Sequence, residues 1–318
     1  MKLGISSCLL GTNCRYDGGH SRDRFITDML GDYFEFVPYC PEKMIFTTPR
    51  EAIRLVRTED EDIRVKTSTE NVDVTSKLVD ISKQLANQIQ DDDLCGFILK
   101  SKSPTCGLER VKVYASKKNA MSEKNGIGVF AKELKDKYPL LPLEEEGRLG
   151  DAWLRENFLM QIFSYKNIFE FLKNNPSAKD LVEFHTSYKY MIYAKSHQSY
   201  KELGQIVANH DKKDIKIVLE DYKHAFLNAI SLKGSISNTY NVLLHLYGYF
   251  KKDISKDEKT EILDTLEEFK NEVIPLIAVI KILNLYIKRF NIEYLKTQKF
   301  LNPYPKELAL RSKVEAYR

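Results

Sequence analysis

Short apolar runs alternate with amphipathic stretches through the first 150 residues, and helical periodicity alone continues beyond them. LGISSCLL (3–10) predicts a buried strand, SRDRFITDMLGDYF (21–34) a helix, FEFVPYC (34–40) a strand and TPREAIRLV (48–56) a helix starting at Thr48. SKLVDISKQLANQIQ (76–90) then predicts a long helix, CGFILKS (95–101) a strand, and PLLPLEEEGRLG (139–150) a last strand and a boundary. This strand–helix–strand rhythm implies a Rossmann-like α/β domain, a parallel sheet with helices on both faces.

From residue 151 the segments 151–175, 180–209, 213–230, 235–252, 259–290 and 292–301 place apolar residues at i, i+3, i+4 and i+7. Each reads as a helix with one buried face, and together they predict an all-α bundle of about six helices. The expected domains are 1–148 and 149–318. All five cysteines and 11 of the 14 glycines precede residue 151, so the first domain carries the special backbone geometry and the thiols.

Charge changes the picture slightly. Residues 1–150 hold 23 Lys and Arg against 24 Asp and Glu, whereas 151–318 hold 26 against 21, so the basic excess lies in the helical half. A surplus of that size fits either a solvated lysine-rich surface or contact with nucleic acid. No uncharged apolar run reaches the ~18 residues of a membrane span. The opening MKLGISSCLLG has too short an apolar stretch for a secretory signal, so a cytoplasmic location with reduced cysteines is expected. An odd number of cysteines also argues against a disulfide framework.

Ligands of open parallel sheets collect where strands end. Cys8 follows GISS, Cys40 follows FEFVPY and Cys106 follows GFILKSKSPT, so three thiols distant in sequence are expected at one rim. They lack the paired C-x2-C spacing of zinc ribbons, although scattered zinc ligands remain possible. A phosphatase-like Cys-x5-Arg loop is missed by one residue at Arg15. Burial as a small apolar side chain suits Cys95 in LCGFIL better than the cysteines set among prolines, glycines and charges. An iron-sulfur cluster is the fourth reading, and three thiolates on a four-iron cube would leave one iron without a protein ligand. Spacing does not separate zinc from iron.

The ordered motifs GISSCLLG, RYDGGH, CPE, PRE and ILKSKSPTCG resemble the thiouracil desulfidase-type domain (domain of unknown function 523) over about residues 1–148. LRENF, LVEFHTSYKYMIYAKS, NVLLHLYGYFKK and EYLKTQKFLNPYP resemble the YbgA-type helical domain (domain of unknown function 1722) over roughly 151–306. The fusion resembles bacterial tRNA 4-thiouridine desulfidases. That resemblance implies a [4Fe-4S] cluster held by Cys8, Cys40 and Cys106 with one open iron, and a tRNA carrying 4-thiouridine as partner. Cys14, where the family has an apolar residue, departs from the pattern and is not expected among the ligands.

The remaining candidates follow from position. Glu42, two residues from a proposed ligand, is the expected general base for an attacking water; otherwise it is a helix-start carboxylate. Ser101 and Ser103 precede Cys106 and could meet the pyrimidine edge or merely shape the loop before Pro104; the resemblance favours Ser101 as catalytic. Lys100 and Lys102 are candidates for phosphate or cluster charge, Arg50 for a phosphate clamp, and Arg15, Tyr16 and Asp17 for the pocket wall. In the helical half, His185 and Lys189 share a face at i and i+4, and His245, Tyr249, Lys251 and Lys252 form a second group proposed to touch RNA. Tyr294, Gln298 and Tyr304 form a third. The histidines and tyrosines have buried, hydrogen-bonded roles as the competing reading. Two other functions stay open: desulfidation of free thiouracil or thiouridine nucleotides with the bundle serving oligomerisation, and a non-catalytic metal-containing RNA-binding protein.

Overall fold

A computed structural model describes residues 1–115 and 121–308, leaving aside the side chains of residues 90, 91 and 307. The chain forms two compact units that divide at Phe158/Leu159; sequence patterning put the change at 148/149.

The first unit is built on a four-stranded parallel sheet. Its strands are β1 (Lys2–Ser6), β2 (Glu35–Tyr39), β5 (Leu94–Leu99) and β8 (Leu143–Glu145), in the order β2-β1-β5-β8. β1 and β5 are inside because their sequences, KLGIS and LCGFIL, offer almost no polar side chain to either face, and every residue of β5 is buried. After β1 the chain adds β2 on one side, then crosses to add β5 on the other. The sheet therefore has its switch point between β1 and β5, where a crevice opens at the carboxyl ends of parallel strands.

Between these strands lie the short helix α1 (Pro41–Ile45), the helix α2 (Thr75–Gln88) and α3 (Val129–Lys137). Leu85 and Ala86 of α2 and Phe130, Ala131 and Leu134 of α3 bury against Tyr39, Phe97 and Leu99 of the sheet. The Tyr39, Phe97 and Phe130 rings stand 5.2–6.2 Å apart between centroids.

A second, mixed sheet was not anticipated. Its strands are β3 (Ile53–Arg57), β4 (Ile63–Thr67), β6 (Val111–Ala115) and β7 (Glu123–Gly126), ordered β4-β3-β6-β7. The helix expected from Thr48 is in fact β3: IRLVR is β-branched at both ends of its apolar stretch and pairs with IRVKT of β4 across an antiparallel ladder. Leu55, Val65, Val111 and Val113 face Val74 and Leu78, so α2 packs on both sheets along its length. The helix expected over 21–34 shrinks to a short helical stretch ending in the π-helical turn Ile26–Leu30, halted at Gly31.

The second unit is helical. It comprises the part of α4 (Ala152–Lys173) from Leu159 onward, then α5 (Ala178–Lys195), α6 (His197–Ala208), α7 (Ile215–Ser231), α8 (Ile236–Tyr247), α9 (Lys256–Lys270), α10 (Leu276–Arg289) and the single turn α11 (Glu293–Lys296). Two stretches read as single helices are each broken in two. Ser196 leaves the helix to cap α6, accepting the Ser199 N–H at 3.1 Å, and Pro275 cannot donate to the turn before it, so α10 starts afresh there. Capping boxes at Ser177/Asp180 and Ser255/Glu258 close the starts of α5 and α9. No helix among the described residues is long and apolar enough to cross a membrane.

Candidate active site

The carboxyl ends of β1, β2 and β5 wall a cavity of about 350 Å³. Cys8 lies on the 3₁₀ turn Ser7–Leu10 that follows β1, Cys40 is the extended residue capping α1 just past β2, and Cys106 ends the loop that leaves β5. The structure thus gathers Cys8, Cys40, Cys106, Glu42, Ser101, Ser103, Arg15, Tyr16, Lys100 and Lys102 around one space. Asp17 is not in that wall: it is exposed, accepts the Gly19 N–H at 3.0 Å and pairs with Arg15.

Cys14 also lines the cavity. Its thiol interacts with Cys40, which pulls its pKa down, yet the neighbouring Cys8 thiol and burial push it up to about 11. Contact with Cys14 and burial raise the Cys40 thiol above the ordinary thiol range, and burial raises Cys106 despite hydrogen bonds to Ser6 and Ser103. All five cysteines are free. Cys95, by contrast, sits within β5 and contacts the Lys2 carbonyl at 3.0 Å, a buried strand residue remote from the cavity wall.

Why these loops hold still is legible in their backbone bonds. The first-turn N–H groups of α3 clasp the Cys106 loop: Val129 donates to the Pro104 carbonyl at 3.1 Å and Phe130 to that of Thr105 at 2.8 Å. Only glycine fits at 128, because a Cβ there would lie 2.6 Å from the Thr105 carbonyl. The Ser103 hydroxyl accepts the N–H groups of Thr105 and Cys106, both at 3.1 Å, so the residue shapes the loop as well as facing the cavity.

Two ion pairs frame the space. Arg50 binds the Glu42 carboxylate and also donates to the Cys14 carbonyl at 3.2 Å, with its side chain largely buried. It therefore fixes Glu42 instead of standing free for a phosphate. Glu146, immediately after β8, was missed by sequence reasoning. It accepts the Ser101 hydroxyl at 2.7 Å and the Ser101 N–H at 2.6 Å, and pairs with Lys100. Its place in the EEE run after the last predicted strand was the available signal, but the pairing of β8 with β5 decides it. Lys102 is exposed.

The donor set suits a cluster. Unbridged thiols from separate elements, Cys8 and Cys106 buried and Cys40 partly so, are the soft ligands that iron-sulfur centres take. Among the described residues no three His, Cys, Asp or Glu side chains converge on a point for one metal ion. The thiols of Cys8, Cys40 and Cys106 line one cavity wall, and a cube of irons and sulfides would take each thiolate at a different corner.

In the helical unit the predicted RNA-contact residues separate. Lys189 lies over the rings of Tyr190 and Tyr294 at 4.9 and 5.0 Å, and Tyr249 stacks on Tyr294 at 5.6 Å. His245 is exposed beside Tyr193, and Lys251 and Lys252 are exposed after α8. His185 turns away from this group, with Nδ1 3.2 Å from the Tyr222 hydroxyl. Gln298 and Tyr304 are packing residues: Gln298 is fully buried, donating to the Thr186 carbonyl at 3.0 Å, and Tyr304 stands against Phe163.

An α/β unit with a thiol-lined cavity at its switch point has the architecture of open-sheet proteins that bind ligands at strand ends. Comparison with known proteins refines this. Residues 3–146 match the 2-thiouracil desulfurase family, and residues 189–305 match a family described as protein of unknown function (DUF1722). Bacillus subtilis YbbK is 32% identical over 108 residues, covering 32% of this chain and 71% of YbbK. Escherichia coli YbgA is 22% identical over 157 residues, covering 49% of this chain and 93% of YbgA. A solved structure, "[4Fe-4S]-dependent thiouracil desulfidase TudS", aligns with 23% identity and a TM-score of 0.38 over 47% of this chain and 93% of that one. The chain belongs to the 2-thiouracil desulfurase family, with a DUF1722 region behind the desulfurase region.

Proposed function

We propose that this protein is a [4Fe-4S]-dependent desulfidase that converts 4-thiouridine in tRNA to uridine. The reaction is hydrolysis without net electron transfer: C4=S and water become C4=O and hydrogen sulfide. The observation that carries the reading is the meeting of Cys8, Cys40 and Cys106 with Glu42 and Ser101 in one cavity within a desulfurase-family fold.

Cys8, Cys40 and Cys106 would hold the cluster. When bound, it supplies an iron without a protein ligand, a Lewis acid suited to a soft sulfur atom. Glu42, oriented by Arg50, takes the proton of the water that adds to C4. Ser101 commits its hydroxyl proton to Glu146, and its oxygen, which accepts Lys100 Nζ at 3.3 Å, keeps one further lone pair as an acceptor. That polarity matches N3–H of a 4-thiouracil ring, next to the reacting carbon. Tyr16 and Arg15 close the side beyond Cys8. The tRNA assignment draws on the helical region, where Lys189, Tyr249, His245, Lys251 and Lys252 supply cations and exposed aromatic surface to an RNA.

The test is anaerobically reconstituted protein mixed with tRNA bearing 4-thiouridine, and separately with free 4-thiouracil. Loss of the thiocarbonyl absorbance with one sulfide released per base is expected on tRNA. Turnover of the free base alone would overturn the tRNA substrate, and stoichiometric zinc in place of iron would overturn the mechanism.

A further inference from the structure

A second cavity, about 800 Å³, adjoins the first and shares Ile53, Ser101, Lys102 and Pro104 with it. Its floor is the face of the second sheet turned away from the Leu55, Val65 and Val113 core. Side chains alternate along strands, so this face shows Lys66 of β4, Arg54 of β3, Lys112 and Tyr114 of β6, and Lys124 of β7.

The registers line these residues up. Arg54 is opposite Lys66, Lys112 is opposite Lys124, and Leu55 beside Val113 puts Arg54 next to Lys112. One cation from each strand thus forms a row across the whole sheet. At about 4.8 Å between neighbouring strands, the row is roughly 14 Å long. Like charges directly opposite each other destabilise a sheet. Among the described residues no carboxylate pairs with Lys66, Lys112 or Lys124 to relieve the repulsion, nor with Lys102 or Arg110 at the same cavity. Arg54 instead stacks on Tyr114 at 5.5 Å and donates to Asn71. Lys102 and Arg110 are both held at positive φ, 60° and 55°. A row of cations that folding opposes, with an aromatic ring within it, is complementary to a regularly spaced anion carrying flat bases.

We infer that this sheet face binds the sugar-phosphate backbone of a single-stranded RNA segment, with Lys102 and Pro104 leading the strand into the cysteine-lined cavity. The inference rests on the desulfidase reading for the identity of the segment, which would flank the thiolated base. It places an RNA site in the first unit, where sequence charge alone showed no basic excess. Neither a mononucleotide nor a free base would need a row of this length, which exceeds the separation of two successive phosphates along a strand.

Binding of an unmodified 12-nucleotide single-stranded RNA to the full-length protein, followed by fluorescence anisotropy across a salt series, tests this. The Lys112→Ala/Lys124→Ala variant should bind at least tenfold more weakly, with the log–log salt slope shallower by about 1.4, two contacts at about 0.7 each. Lys77→Ala/Lys83→Ala, at exposed positions of α2, is the control and should match wild type. Equal affinity and slope in the sheet variant, an equal loss in the control, or full competition by equimolar uridine monophosphate would each overturn the inference. Desulfidation of tRNA by a protein whose sheet variant binds RNA like wild type would sink this inference alone. RNA binding through the row without desulfidation would sink the functional reading alone.

Discussion

Ser101 is gripped twice by Glu146, which accepts its hydroxyl on one carboxylate oxygen at 2.7 Å and its backbone N–H on the other at 2.6 Å. The carboxylate lies just past β8 and the serine just past β5, neighbouring strands of the sheet. One carboxylate just past the last strand therefore orients the Ser101 hydroxyl.

Glu146→Gln should release the Lys100 pairing and leave the amide free to reverse the sense of the Ser101 bond. A hydrogen bond to a charged group contributes about 1.5–3 kcal/mol. The expected result is kcat lower by about tenfold or more with iron content unchanged, read by desulfidation kinetics beside iron analysis. A variant with wild-type kcat would remove Glu146 from the mechanism.

Single Ser substitutions at Cys8, Cys40 or Cys106 should abolish iron binding in anaerobic reconstitution. Cys14→Ala should retain iron and activity, because a fourth thiolate would occupy the position that substrate sulfur needs. Iron and sulfide analysis of the four variants decides this, and loss of iron in Cys14→Ala would make it a ligand.

Gly128→Ala drives a methyl group into the Thr105 backbone, which cannot turn aside as a side chain could. Overpacking of this kind costs about 1–3 kcal/mol. Denaturant unfolding should show that loss, and iron retention at moderate temperature should fall with it because the same loop carries Cys106.

Acid should loosen the helical unit through His185. Burial first, and Lys189 one turn away second, lower its pKa from 6.5 to about 4. The unfolded chain then takes up a proton that the folded chain refuses. Stability is accordingly full above pH 6.5, declines as pH falls towards 4, and the change is about 3 kcal/mol when both states are protonated. Thermal melts of wild type and His185→Gln between pH 7.5 and 4 should converge in acid, with the variant flatter. Parallel curves would show that His185 is not the titrating group.

Much of the first unit was legible because its strands are apolar enough to declare themselves. LCGFIL can only be a buried strand, and three cysteines placed after strand-like runs do line one cavity. The desulfurase resemblance in the motifs agrees with the family match over residues 3–146. What stayed hidden depends on contacts between distant segments. IRLVR reads as one amphipathic turn until IRVKT is laid antiparallel to it, and no local pattern announces that pairing. Cys14 looked like an outsider because the resembled family has an apolar residue there, yet the loop folds its thiol back to Cys8 and Cys40. Glu146 is one of three adjacent glutamates, and only the β5–β8 pairing tells them apart. In the helices, periodicity located the buried faces but could not foresee Ser196 as a break between two helices of nearly continuous pattern.

The clasp on the Cys106 loop is made of main-chain groups, N–H of α3 to carbonyls of Pro104 and Thr105, and the side-chain demand falls on Gly128 and Gly107, where a Cβ would meet backbone. Related proteins can therefore diverge freely along the surface of α3 while the thiol stays in place. Evolutionary drift there would erase similarity without moving the thiol, so a distant relative is better sought by its glycines and its strand-end cysteines than by the helix between them.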